Sequence, residues 1–182
     1  MDLKNRIRRN ILIERKTFDI NKYHHENELI IENVLIILNS LDTNLVVGSY
    51  LPLKGEPDLN RIMLHNSWSI ALPKLALNKM NFVTYKLGGG LERGPHKIRQ
   101  PISTTPAIPD VIIAPALSYS IQGYRLGFGS GYYDKYLSDK KTLGDCLKIG
   151  VCFDKFLLEY LPHDAHDVKF DYIITDKMVL KL

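Results

Sequence analysis

The rhythm of apolar and polar positions changes once along the chain, near residue 45. Over residues 3–18, Leu3, Ile7, Ile11 and Phe18 recur at near-helical spacing among charged neighbours, which predicts an amphipathic helix. A second, more apolar helix is predicted over residues 21–41. Beyond it, short apolar runs of strand length fall at residues 45–50, 69–72, 81–85, 111–114, 148–153 and 172–175. Proline, glycine, asparagine or aspartate bounds these runs, and helical spacers are expected between several of them. Such alternation predicts an α/β fold in three α/β/α layers: a mostly parallel central sheet, helices on both faces and a helical N-terminus. Residues 86–110 hold Gly88, Gly89, Gly90, Gly94, Pro95, Pro101, Pro106 and Pro109, a density of breakers that predicts a long loop.

Composition narrows the picture only a little. At 182 residues, with 45% hydrophobic and 24% charged positions, the chain suits a single folded domain over 1–182 with a core of its own. The basic N-terminal run is followed by no apolar stretch of secretory type, and the apolar segment at residues 29–38 is interrupted by Glu32 and Asn33. A cytoplasmic location and no membrane partner are expected. The formal charge of +4 favours small anionic ligands over nucleic acid, since no dense basic stripe with interleaved aromatics is present. Cys146 and Cys152 stand five residues apart with no metal-ligand spacing and are read as ordinary thiols.

Candidate chemistry concentrates at residues 125–134, RLGFGSGYYD. Gly127, Gly129 and Gly131 leave the backbone open to positive φ, so peptide N–H groups can turn inward around an anion. Arg125 adds a planar charge, Tyr132 and Tyr133 add aromatic faces, and Asp134 adds a carboxylate suited to a hard cation. Tyr132 to Leu137 is expected to begin a helix, which would bring unpaired N–H groups towards bound phosphate. The glycine string matches neither the dinucleotide-binding nor the P-loop pattern. Lys4 and Arg8 share a helix face, where they either grip phosphates or form a solvated basic surface. Glu56 follows a strand end in YLPLKGE and is either a hydrogen-bond acceptor for a heterocycle edge or an exposed turn acid. LPHDAHD at residues 161–167 lacks the ligands of a zinc site, and its acids suit magnesium better.

In order and spacing, these segments resemble the 5-formyltetrahydrofolate cyclo-ligase family. The likeness rests on the K-x-x-x-R opening at residues 4–8, YLPLKGE at 50–56, ALPKL at 71–75, DVIIAP at 110–115, RLGFGSGYYDKYL at 125–137 and LPHDAHD. It implies an ATP- and magnesium-dependent conversion of 5-formyltetrahydrofolate to 5,10-methenyltetrahydrofolate, releasing ADP and phosphate, with no obligate protein partner. Carried over by position, Lys4, Asn5, Arg6, Ile7 and Arg8 would hold ATP, together with Arg125, Leu126, Gly127, Phe128, Gly129, Ser130, Gly131, Tyr132 and Tyr133. Leu51 and Glu56, with Phe128, Gly129, Ser130, Gly131 and Tyr132, would contact the folate. Asp134 and Asp167 would bind Mg2+, and Arg125, Tyr132 and Asp134 are the catalytic candidates. Trp68 or Tyr119 would add apolar folate surface.

Two places depart from the family pattern. Lys97 and Gln100 stand where a G-I-x-E-P stretch is often found, and Asp164 replaces a longer acid. The alternative reading is a nucleotide- or RNA-binding α/β module without catalysis.

Overall fold

Asp2 caps the first helix: its carboxylate accepts the Lys4 N–H at 3.3 Å, and Arg15 and Lys16 occupy the last turn, where cations suit the helix dipole. In the computed structural model, which describes residues 2–76, 79–139 and 143–182, this helix is α1 (Leu3–Lys16). A 3-10 turn (Ile20–Tyr23), opened by Asp19 accepting from the Asn21 N–H at 3.1 Å, leads into α2 (His24–Asn39). The predicted second helix therefore starts later, because the Asp19 cap tightens residues 20–23 into a 3-10 turn, and it ends earlier, at Asn39, where the Ser40 N–H closes on the Ile37 carbonyl at 3.0 Å. Ile30, Ile31, Val34 and Leu38 line the buried side of α2.

The chain then forms β1 (Val46–Gly48), β2 (Ser69–Ala76), β3 (Lys79–Tyr85), β4 (Leu91–Arg93), β5 (Arg99–Pro101) and β6 (Val111–Pro115). It continues through β7 (Ser118–Ser120), β8 (Arg125–Leu126), α3 (Tyr132–Leu137), β9 (Leu147–Val151), β10 (Leu157–Leu158), β11 (Tyr172–Ile174) and β12 (Val179–Lys181). Seven strands build the main sheet in the order β12-β11-β9-β6-β1-β2-β3. The inner five run parallel, and β3 and β12 pair antiparallel at the two edges. Val111 to Ala114 of β6 are all buried although successive side chains point to opposite faces, so both faces of the sheet are covered.

Residues 86–110 do not remain a loop, as their breakers suggest. Leu91, Glu92 and Arg93 pair with Pro101, Gln100 and Arg99 in a two-stranded antiparallel ribbon, its connection carrying Pro95 at the start of a short 3-10 turn. Prolines are tolerated there because a two-stranded ribbon needs a partner on one side only. Between β1 and β2 the spacer holds only a 3-10 turn (Asn60–Leu64), and α3 lies between β6 and β9.

After β1 the chain moves outward to β2 and β3, then returns across β1 to β6 and on to β9 and β11. Strand order thus reverses between β1 and β6. At such a reversal the loops leaving two neighbouring parallel strands diverge and open a crevice at their carboxyl ends. Tyr50 and Leu51 follow β1 there, and Pro115 and Ala116 lie at the end of β6.

Gly150 of β9 sets the depth of packing beneath that crevice. A Cβ at this position would stand 2.5 and 2.6 Å from the Tyr119 ring and 2.8 Å from Ile173. The Tyr119 ring, whose hydroxyl donates to the Ala114 carbonyl at 2.8 Å, lies flat against the sheet only because glycine is below it. Gly150→Ala is therefore expected to lower the unfolding free energy by about 1–3 kcal/mol through overpacking. Urea denaturation checks this, and an unchanged midpoint would contradict the packing.

Candidate active site

Three segments distant in sequence converge on the crevice: the start of α1, the loop after β1, and the glycine-rich stretch after β8. Together with the β4–β5 ribbon they line a cavity of about 770 Å³, within the range of small-molecule sites. Arg125, Leu126, Gly127, Phe128, Gly129, Ser130, Gly131, Tyr132, Tyr133 and Asp134 all reach it, as do Lys4, Arg8, Leu51, Glu56 and Asp167. Asn5, Arg6 and Ile7 do not line it. Helical geometry turns these three away from the stripe carrying Lys4 and Arg8: Arg6 is exposed, Ile7 packs on the core, and Asn5 accepts a hydrogen bond from the Arg8 guanidinium.

Gly129 (φ 105°) and Gly131 (φ 68°) adopt the left-handed backbone that the glycine string predicts. Gly127 serves otherwise: its carbonyl accepts from Arg8 Nε at 2.9 Å, tying the loop to α1. Arg125 Nη2 meets Asp134 Oδ2 at 2.8 Å, and its guanidinium lies 4.9 Å from the centre of the Tyr133 ring. Arg125 Nε and the Tyr133 hydroxyl are buried with no protein partner among the described residues, polar groups left over for a ligand. Burial pushes the Tyr133 phenol up, against the opposing pull of Arg125, so the hydroxyl is a hydrogen-bond donor throughout the physiological range. Phe128 is half exposed over the cavity.

Lys4 is answered by acids. Its Nζ stands 2.8 Å from Asp164 and 2.5 Å from Asp167, which also accepts the Asp164 N–H at 2.8 Å. Burial pulls the Lys4 ammonium down, but the two carboxylates more than offset this and leave it above its ordinary value. Burial likewise pushes Asp167 up, and Lys4 with the Asp164 N–H brings it below the usual carboxylate range. Asp134 and Asp167 thus both face the cavity, each in contact with one cation. Two carboxylates beside such a loop would suit Mg2+, which takes one or two acids and completes its shell with phosphate oxygens and water. Among the described residues no three histidine, cysteine or acidic side chains converge, so the zinc alternative lacks ligands, and His163 instead stacks on Tyr124 at 3.7 Å.

Glu56 is buried, which removes the exposed-turn alternative. Its Oε2 accepts the Leu53 N–H at 2.8 Å, and Oε1 lies 3.9 Å from Arg15 Nη1. Burial pushes this carboxyl up to about 7, with the Leu53 hydrogen bond and the charges of Arg15 and Arg125 pulling the other way. The loop that carries it is fixed from several sides. Tyr50 donates to the Pro57 carbonyl at 2.7 Å, Lys54 Nζ reaches the Lys16 carbonyl at 2.6 Å, and Asn27 of α2 pairs with both backbone groups of Asp58.

Arg15 is the residue that sequence reasoning missed. It is buried, donates to the Ala116 and Leu117 carbonyls and lies 4.8 Å from the centre of the Phe156 ring, yet its Nε and Nη1 have no hydrogen-bond partner among the described residues. The signal was present: Lys4, Arg8 and Arg15 sit four and eleven residues along one helix, and eleven residues return to within about 20° of the same direction. Trp68 and Tyr119, expected as folate surface, do not line the cavity. Trp68 is buried with its indole donating to the Ile62 carbonyl, Tyr119 is buried against Gly150 of β9, and Leu72, Leu75, Met80 and Ile98 supply the apolar wall instead. Cys146 and Cys152 are buried free thiols, both pushed up to about 12 by burial.

The chain is similar to several known proteins in sequence and in fold. A 5-formyltetrahydrofolate cyclo-ligase of Mycoplasma genitalium is 27% identical over 178 residues, 95% of this chain and 98% of its own length. Against a probable 5-formyltetrahydrofolate cyclo-ligase of Schizosaccharomyces pombe, identity is 31% over 81 residues, 40% of each chain. The solved structure of an Aquifex aeolicus 5,10-methenyltetrahydrofolate synthetase superposes with a TM-score of 0.84 at 29% identity, covering 99% of this chain and 93% of the other. That of a 5,10-methenyltetrahydrofolate synthetase from Mycoplasma pneumoniae, at 23% identity and TM-score 0.77, shares the fold. The profile of one family matches residues 1–176, and on that match the chain belongs to the 5-formyltetrahydrofolate cyclo-ligase family.

Proposed function

We propose that the protein converts 5-formyltetrahydrofolate and ATP to 5,10-methenyltetrahydrofolate, ADP and phosphate. One observation carries the reading: the glycine cradle with its buried cation and the buried acid Glu56 open onto the same cavity, so an anionic nucleotide and a heterocycle can meet within it. The formyl oxygen attacks the γ-phosphorus and ADP departs. The neighbouring anilino nitrogen then closes on the formyl carbon and gives up its proton, and phosphate leaves with the former formyl oxygen and takes that proton. Chemistry of this kind asks the protein for alignment and charge neutralisation, not for a nucleophile.

Arg8, Arg125 and the backbone N–H groups about Gly129 and Gly131 hold the phosphates, with Lys4 at the edge of the cradle. Tyr132, Tyr133 and Phe128 close over the junction of the two substrates. Leu51 and the apolar wall receive the folate ring system, and Glu56 accepts hydrogen bonds from its amide and amino edge. Asp134 and Asp167 would hold Mg2+, which supplies charge neutralisation at the phosphoryl oxygens when bound.

Protein mixed with ATP, magnesium and 5-formyltetrahydrofolate is expected to develop the absorbance of the methenyl product, with one ADP per product. Chelating the magnesium should abolish it. A folded, ATP-binding protein that yields no methenyl product at saturating substrate would refute the reading.

Glu56 gives this reading a pH signature. Its folded value near 7 lies above the ordinary 4.5, so its contribution to stability is complete below about 4.5 and is lost as the pH rises through 7. Acceptance of two pterin donors requires the ionised form, so affinity for 5-formyltetrahydrofolate should rise between pH 6 and 8. Glu56→Gln is expected to weaken folate binding about ten- to a hundredfold at pH 8 and to flatten that rise, leaving ATP affinity nearly unaltered. Titration calorimetry at the two pH values checks it, and an unchanged folate affinity would remove Glu56 from the pterin edge.

A further inference from the structure

His163 belongs to the LPHDAHD segment, yet the proposed reaction gives it no part. Its ring lies face to face with that of Tyr124, the centroids 3.7 Å apart and the planes 8° from parallel, and Tyr160 meets it edge-on at 6.3 Å. His163 Nδ1 donates to the Leu161 carbonyl at 3.1 Å, which fixes the ring against its own turn. His163 is exposed, and neither it nor Tyr124 lines the cavity. An exposed ring adds little to the core, so what the stack fixes is the relative position of the two segments it joins.

Those segments carry the two acids that face the cavity. Tyr124 is held in the β7–β8 hairpin, where its N–H donates to Ser120 Oγ at 3.3 Å and its carbonyl accepts the Ser120 N–H at 2.9 Å. The next residue, Arg125, pairs with Asp134. On the other side, His163 leads into a turn closed by its own groups: the Asp167 N–H donates to the Asp164 carbonyl at 3.0 Å, and Asp167 Oδ2 accepts the Asp164 N–H at 2.8 Å. Asp167 therefore goes where the turn goes. Behind the turn, the Phe170 N–H donates to the Gly123 carbonyl at 3.0 Å, and the stack fastens its front to the neighbouring residue, Tyr124.

Lys4 also ties the turn to the site, through Asp164 and Asp167, but the proposed reaction leaves Lys4 to meet phosphate oxygens. The stack contains no group that the reaction recruits, so it persists when that ion pair parts. An octahedral magnesium shell, with ligand distances of about 2.1 Å, tolerates little displacement of an acid. We propose that Tyr124 and His163 are positioning residues for the metal site: stacked, they keep Asp167 in place relative to Arg125 and Asp134 once Lys4 has turned to the nucleotide. The proposal rests on the magnesium reading above.

The test is titration calorimetry of ADP, in magnesium and in EDTA, and of 5-formyltetrahydrofolate, with the wild type, Tyr124→Leu, Tyr124→Phe, His163→Leu and Tyr124→Leu/His163→Leu. The wild type should bind ADP more tightly with magnesium than without. Tyr124→Leu and His163→Leu should each weaken ADP binding in magnesium about tenfold, as loss of a group behind a metal ligand typically does, and alter ADP binding in EDTA and folate binding by less than about twofold. Tyr124→Phe keeps the ring and should match the wild type to within about twofold, and the double variant should bind within about twofold of the weaker single one, since the two rings act as a unit. A contact to the nucleotide base would weaken binding in EDTA as well, and a purely structural role would lower the folate affinity and thermal unfolding together with the rest; either result would overturn the proposal. So would an unchanged affinity for ADP in magnesium in His163→Leu, a surface change that leaves the core intact. A wild type that binds ADP equally with and without magnesium would overturn the magnesium reading too, whereas variants equal to a magnesium-dependent wild type would overturn this proposal alone.

Discussion

A guanidinium shielded from water sits where α1, the loop after β1 and the end of β6 meet. Arg15 donates to the Ala116 and Leu117 carbonyls and faces the Glu56 carboxylate, so one side chain fixes three chain segments. Burying an ion pair is costly, and removing either partner alone typically costs several kcal/mol because the other charge is left uncompensated. That penalty holds the register of α1 against the loop. Gly55, at φ 81° and with a Cβ that would come 2.9 Å from Arg15, lets the backbone approach the side chain closely. With Arg15 in place, Lys4 and Arg8 on the same helical stripe are delivered to the cavity.

Charge in the cavity follows a simple pattern. Lys4 faces Asp164 and Asp167, Arg125 faces Asp134, and Arg15, behind the cavity wall, faces Glu56, whereas Arg8 is held by Asn5 and the Gly127 carbonyl. In the proposed reaction Asp134 and Asp167 would hold the metal ion, which would supply charge neutralisation, and Lys4 and Arg125 would be left to meet phosphate oxygens. Sheet topology determines where this happens. The reversal of strand order between β1 and β6 opens the crevice, and residues after those strands supply its floor.

Much of this was legible in the sequence because the signals were local. Periodicity marked α1 and α2, uninterrupted apolar runs marked the parallel strands, and positive φ at Gly129 and Gly131 was foreshadowed by the glycine string. The strands β7, β8, β10 and β12 are two or three residues long, too short for a period to show. The ribbon at residues 91–101 was hidden by its own prolines and glycines. Its pairing depends on anchorage by Gln100 and Lys74 to β2, a tertiary contact without a sequence signature. Arg15 lies between Glu14 and Lys16, where charged neighbours conceal that one of them is buried, and Trp68 and Tyr119 looked like pocket aromatics because burial of a large ring in the core cannot be told from burial against a ligand.

The account depends most on Arg15 and Glu56 acting as a unit. A double-mutant cycle of Arg15→Lys and Glu56→Gln, read by titration of 5-formyltetrahydrofolate into variants shown by urea denaturation to be folded, measures this directly. The account predicts a coupling of about 1 kcal/mol or more, the double variant binding little worse than the weaker single one, whereas losses that add to within about 0.5 kcal/mol would contradict it.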